Sequence, residues 1–260
     1  MKTKILKYSL LTAIIGIALW SCNKEDIKSV NHTSSIEPSM MLNSNITEIG
    51  NLHNDILETT FTDFDYTVSD YLAEIKTNFL LAEIEGLDES TKLALLNDTN
   101  NYDRSYINNN LTDQIAKDYI SSGELIIDTA TNYTSMFDGL SNLKQEIESD
   151  SRDFNKDVAL IFCEVSIKSS YFWLNSSVGG SGIGSNILKD LDREQLPGVS
   201  PYVRDIIAAD GLGAAGVFTS YGLFAGMTGP IGWGALVVSV GFGAAWSSIT
   251  TAVINYKNYH

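Results

Sequence analysis

The chain has little of what most small exported proteins and most enzymes lean on. It holds only two cysteines, Cys22 and Cys163, so a disulfide framework is excluded as the source of stability. Three histidines, His32, His53 and His260, lie far apart and form no metal-ligand spacing with one another or with Cys163. Only four prolines interrupt 260 residues, and nowhere does a run alternate apolar and polar residues between turn dipeptides, which argues against strands. Basic residues are scarce: 17 Lys and Arg stand against 32 Asp and Glu, a formal charge of -15. A surface of that sign excludes nucleic acid as a partner.

The three lysines Lys2, Lys4 and Lys7 precede an apolar run from Tyr8 to Trp20. That run is shorter than the roughly 20 residues needed to cross a bilayer, so residues 1–21 read as a cleaved export signal rather than an anchor helix. The run ends Leu19-Trp20-Ser21-Cys22, which resembles the lipobox of bacterial lipoproteins, with Trp20 an unusual residue at its position. The resemblance implies lipidation of Cys22, cleavage before it, and a mature chain held on a membrane through several acyl chains. Asn23-Lys24-Glu25-Asp26 follows at once and is similar to the surface-export signal of Bacteroidetes lipoproteins, carried here by Lys24, Glu25 and Asp26. Asp128-Thr129-Ala130 resembles an O-glycosylation site of the same phylum and makes Thr129 the candidate acceptor. Together these imply an outer-membrane lipoprotein with its body exposed at the cell surface. Loss of residues 1–21 takes three lysines away and moves the formal charge to -18.

Residues 22–44 are polar and without apolar period, and read as a disordered tether. From 45 to 175 the period is helical. Ile46, Ile49, Leu52 with His53, and Ile56 share one face, and Val68, Tyr71 with Leu72, Ile75, Phe79 and Ala82 another, joined by a turn at 59–66. A short helix is expected at 89–96. Leu111, Ile115, Tyr119 and Ile126 mark a third long helix capped by Thr112 or Asn110; Met136, Leu140, Leu143 and Ile147 mark a fourth. Phe154 to Leu174 make a fifth whose apolar residues run nearly all round, the mark of a buried helix. Residues 176–200 open with SSVGGSGIGS and read as a Gly/Ser hinge and linker; no strand precedes its glycines and no lysine follows, so it is not a phosphate-binding loop.

Residues 201–256 form a different kind of segment. From Gly211 to Tyr256 no residue is charged, and ten of the chain's 20 glycines lie there. Gly229-Pro230 divides it into a helical hairpin, 202–227 and 231–255. Ala235, Ser239, Gly243, Ser247 and Thr251 recur at every fourth position, and Gly222 with Gly226 forms a small pair on the other helix, a face on which two backbones come close. The texture resembles the glycine-zipper segments of pore-forming peptides and two-peptide bacteriocins. Three roles are open: a buried core element, a membrane-inserting hairpin, or a surface for a protein partner or self-association.

The expected fold is therefore all-α, an amphipathic helical bundle, an acidic domain at 45–175, followed by a glycine-rich apolar helical hairpin at 201–256. No catalytic, metal or cofactor set is legible. His53, with Asn54 and Asp55 beside it, reads as a polar residue of a helix face, and Cys163 as a small core residue. The function expected is that of a membrane-anchored extracytoplasmic binding or interaction protein. A membrane-active protein using the hairpin is the alternative, and a hydrolase whose site the sequence does not reveal is a further one.

Overall fold

In the computed structural model the residues described are 38–62, 64, 71–81, 84, 87–99, 102–190, 199–228 and 230–254. They form α-helices and no strands: α1 (Pro38–Thr62), α2 (Tyr71–Leu81), α3 (Glu89–Thr99), α4 (Arg104–Asn110), α5 (Gln114–Thr129), α6 (Tyr133–Ser149), α7 (Lys156–Trp173), α8 (Ile183–Asp190), α9 (Pro201–Thr228) and α10 (Pro230–Ile249), the last running into a π-turn at Thr250–Ile254. The all-α class and the C-terminal hairpin are as the periodicity requires. The signal segment, Cys22, Lys24, Glu25 and Asp26, and linker residues 191–198 lie outside the described residues.

Helix α1 begins at Pro38, inside the stretch read as tether; a proline in the first turn removes only an N–H that has no helical partner there. It also runs on through Thr60 and Thr62, where a turn was expected. Both hydroxyls donate to carbonyls four residues back, of Ile56 and Glu58 at 2.7 Å each, so the threonines are satisfied without leaving the helix. The expected third long helix is two elements. Leu111 closes α4, and Asp113, not Thr112 or Asn110, caps α5, accepting from Ile115 N at 3.0 Å and Ala116 N at 3.1 Å. The other carboxylate oxygen of Asp113 accepts from Asn155 N at 2.7 Å, which ties the start of α5 to the start of α7.

The face of α5 is turned by one residue from the expected one. Ala116, Ile120, Gly123 and Ile127 are buried, while Ile115, Tyr119 and Ile126 sit at the shoulders. Size explains this. A Cβ on Gly123 would come within 2.5 Å of the Phe162 ring, so α5 lies against α7 through its smallest residue. Ile126 then covers Gly139 of α6, and Tyr119 stacks on Phe154 with ring centroids 5.5 Å apart. Helix α6 buries Met136, Leu140, Leu143 and Ile147 as the pattern requires, behind a capping box of Asn132 and Ser135.

The glycines after α7 make a hydrogen-bonded turn rather than a slack hinge. Asn175 Oδ1 accepts from Ser177 N at 2.9 Å, Gly182 N donates to Leu174 O at 3.1 Å, and Ser181 N to Tyr171 O at 2.7 Å. Gly179 and Gly182 hold φ of +94° and +80°, values that a side chain would strain.

Two buried elements organise the rest. Helix α7 is covered on nearly every side from Val158 to Trp173. The α9–α10 hairpin packs against itself most extensively, then α9 against α7 and α10 against α1, with α1 also on α7 and α3 also on α10. The stretch Gly234–Val253 is long and apolar enough to cross a bilayer, and most of it is buried in the bundle. Phe218, Leu236, Phe242 and Trp246 are all buried; Phe242 and Trp246 meet Phe79 of α2 at centroid distances of 4.3 and 5.2 Å. Most of the described part of the hairpin is thus received by protein, against α1, α2, α3 and α7.

Its glycines serve several contacts rather than one seam. A Cβ on Gly213 would lie 2.2 Å from Ser247 Oγ and 3.5 Å from the Gly243 carbonyl, so Gly243 and Ser247 do form the close face between the two helices, opposite Gly213. Gly211 makes room for Ser166 and Phe162 of α7, Gly216 for Tyr102, and Gly241 for Leu52 of α1. Ser239 is half-buried and Ala235 is exposed, so the upper part of the expected stripe lies outside that seam. Gly222 and Gly226 are helical, and their surroundings lie outside the described residues.

Candidate functional site

Where α1, α7, α9 and α10 meet, apolar packing gives way to a cluster of polar side chains. His53 comes from α1, Ser166, Ser169 and Trp173 from α7, Asp210 from α9 and Ser248 from α10, and each is buried. Asp210 is the centre. Its Oδ2 accepts from Ser169 Oγ at 2.5 Å and from Ser248 Oγ at 2.6 Å, and His53 Nε2 stands 3.2 Å away. Trp173 Nε1 donates to Ser248 Oγ at 2.8 Å. On the far side of the imidazole, Nδ1 lies 2.8 Å from Asn54 Oδ1, and Asn54 Nδ2 donates to Lys168 O at 3.0 Å. One turn from His53, Gly50 lets α1 cross close to Lys168 and Glu164 of α7. Glu164 is buried and paired with Lys144 of α6.

The cluster is incompletely satisfied. Among the described residues Asp210 Oδ1 and Ser166 Oγ, and Ser247 Oγ of the adjoining α9–α10 seam, have no hydrogen-bond partner, and His53 Nε2 is at ion-pair distance without hydrogen-bond alignment. Buried polar atoms of this kind cost about 1–3 kcal/mol each when left unpaired.

Serine, histidine and aspartate are the parts of a nucleophilic relay, but they are connected differently here. A relay puts the imidazole between carboxylate and hydroxyl, so that the ring takes the hydroxyl proton. In this network both bonded serines donate to the carboxylate, and the second ring nitrogen faces an asparagine. No hydroxyl is activated, and the residues at the centre are fully buried. The arrangement fixes four helices to one another.

The reading of His53 as a polar face residue is corrected by this geometry: the ring is 0% exposed and belongs to the core. The sequence held a sign of it, since His53 falls on the apolar face between Ile49 and Ile56. Asp210 and the serines were not picked out as a group. Only Asp210's place as the last charge before the uncharged stretch, and the Ser166–Ser169 spacing on a helix apolar all round, marked them.

Cys163 is buried, and burial pushes its thiol up to about 12. At pH 8 the thiolate fraction is then on the order of one in ten thousand. The native protein is expected to resist a maleimide that labels it fully in guanidinium, as read by mass spectrometry; rapid native labelling would contradict the buried placement. Thr129 is exposed at the end of α5, its hydroxyl donating to Leu125 O at 2.8 Å. Among the described residues no three His, Cys, Asp or Glu side chains converge as a metal-binding group would. No family model, no curated protein and no solved structure matches the chain.

Proposed function

We propose that the mature chain is a lipid-anchored extracytoplasmic protein of the outer membrane that works by binding, not by catalysis. The observation that carries this reading is the burial of the His53–Asp210 network, whose residues have catalytic chemistry but neither the connectivity nor the access that turnover needs. Work is then left to the surface and to the hairpin, through a protein partner or self-association. The anchor rests on the Leu19-Trp20-Ser21-Cys22 pattern, and display at the cell surface on Lys24, Glu25 and Asp26. Cys22→Ala is expected to abolish incorporation of labelled fatty acid and to move the protein from the membrane to the soluble fraction. Undiminished labelling refutes the anchor, and turnover of any substrate that disappears with a single buried substitution refutes the non-catalytic reading.

A second reading, a membrane-active protein, is favoured by one specific feature. The uncharged stretch after Asp210 supplies 18 helical residues in α9 and the whole of α10, which at 1.5 Å per residue makes each arm about as long as the hydrocarbon core is thick. In this reading the amphipathic helices sheathe the hairpin until it meets a bilayer.

A further inference from the structure

We propose that the His53–Asp210 pair is a latch on the hairpin, and that uncoupling it lets α9 and α10 leave the bundle for a lipid bilayer; this rests on the membrane-active reading. The latch stands where a latch would have to stand. Asp210 immediately precedes the 46-residue uncharged stretch, so every charge that could hold the hairpin by electrostatics lies at its base. Around that carboxylate α7 presents Ser169 and Trp173, α10 presents Ser248, and α1 presents His53, which makes His53 the one group in the network able to carry the opposite charge.

Asn54 donates through Nδ2 to the Lys168 carbonyl, which leaves its Oδ1 turned toward His53 Nδ1, while Nε2 faces Asp210 Oδ2. The pair therefore joins the first helix of the bundle to the base of the hairpin across the chain.

The same network is built to be weaker than the packing around it. Asp210 Oδ1, Ser166 Oγ and Ser247 Oγ lack partners among the described residues, and a half-satisfied buried polar pair holds less firmly than apolar side chains of the same volume. Beyond it the hairpin keeps two polar ties, Tyr106 Oη to Ser220 Oγ at 2.6 Å and Tyr221 Oη to Asp98 Oδ2 at 2.5 Å, and its packing is otherwise largely apolar, burial that a bilayer can replace. Where a bilayer offsets that burial, removal of one charge shifts the balance.

The test uses the purified full chain and Asp210→Asn, which keeps the shape and removes the charge. Amide hydrogen exchange without lipid reads release, and dye escape from neutral phosphatidylcholine vesicles reads insertion. Exchange in α9 and α10 is expected to rise about tenfold, and dye escape to rise with it. Met136→Ala, a cavity in α6 away from the network, controls for general loss of stability. Equal dye escape from Met136→Ala overturns the latch. Faster exchange in Asp210→Asn without dye escape overturns the membrane-active reading and the proposal with it. Dye escape from the unmodified chain, with exchange indifferent to Asp210→Asn, overturns the latch and leaves the membrane-active reading standing. Should Asp210→Asn fail to fold, Ser248→Ala removes one donor and keeps the carboxylate and the imidazole; a smaller rise in both readouts supports the latch, and no rise refutes it.

Discussion

A chain ending at Ser200 is expected to lose its cooperative thermal transition. Without α9 and α10, Phe162 loses the cover of Gly211, Tyr102 that of Gly216, Leu52 that of Gly241, and Phe79 that of Phe242 and Trp246. Uncovering these side chains costs at most about 6–12 kcal/mol at 1.5–3 kcal/mol for each one fully exposed, comparable to the stability of an ordinary domain of about 5–15 kcal/mol. His53 would also be left facing no carboxylate. Circular dichroism of residues 38–200 on heating decides the matter. A sharp melt close to that of the full chain would show that the N-terminal helices fold by themselves, and that the hairpin is a separable module.

The second large effect belongs to Gly213→Leu. A Cβ there already falls 2.2 Å from Ser247 Oγ and 2.7 Å from its Cβ, with the Gly243 carbonyl behind, so a larger side chain must push two buried helices apart. Overpacking of this kind costs about 1–3 kcal/mol where neighbours yield and more where backbone blocks the way. Gly234→Ala is the counterpart, since a Cβ on Gly234 meets nothing within 4 Å and alanine gains about 1 kcal/mol in a helix interior. Urea titrations should move the midpoint down for the first and up for the second. A neutral Gly213→Leu would mean that α9 and α10 do not approach through these residues.

The helices and the hairpin were legible because period and charge mark them directly. Met136, Leu140, Leu143 and Ile147 lie on the buried face they were assigned to, and Gly229-Pro230 divides the hairpin where α9 gives way to α10. What the sequence hid depends on size rather than on polarity. The face of α5 follows Ala116 and Gly123, which carry little hydrophobic weight, so the larger Ile115 and Ile126 pull a periodicity reading one residue aside. The small residues of the hairpin suggested a single seam, yet Gly211, Gly213, Gly216 and Gly241 face four different neighbours, and spacing along one helix cannot say which neighbour each will meet. The polar network was hidden for a similar reason. Its residues come from positions 53, 169, 210 and 248, and only the folded chain brings them together.

The packing of α1 on α10 has a consequence for the order of events. These helices begin at Pro38 and Pro230, so one of the principal contacts of the core joins segments nearly two hundred residues apart. Closing a loop of that length is entropically dear before any contact rewards it, and folding rates fall as such separations come to dominate. A ribosome delivers the N-terminal helices first, and until α9 and α10 follow, the faces of α1 and α7 that these two helices cover have no partner. The bundle can close only when α9 and α10 have been delivered, so its core is completed by contacts between early and late helices.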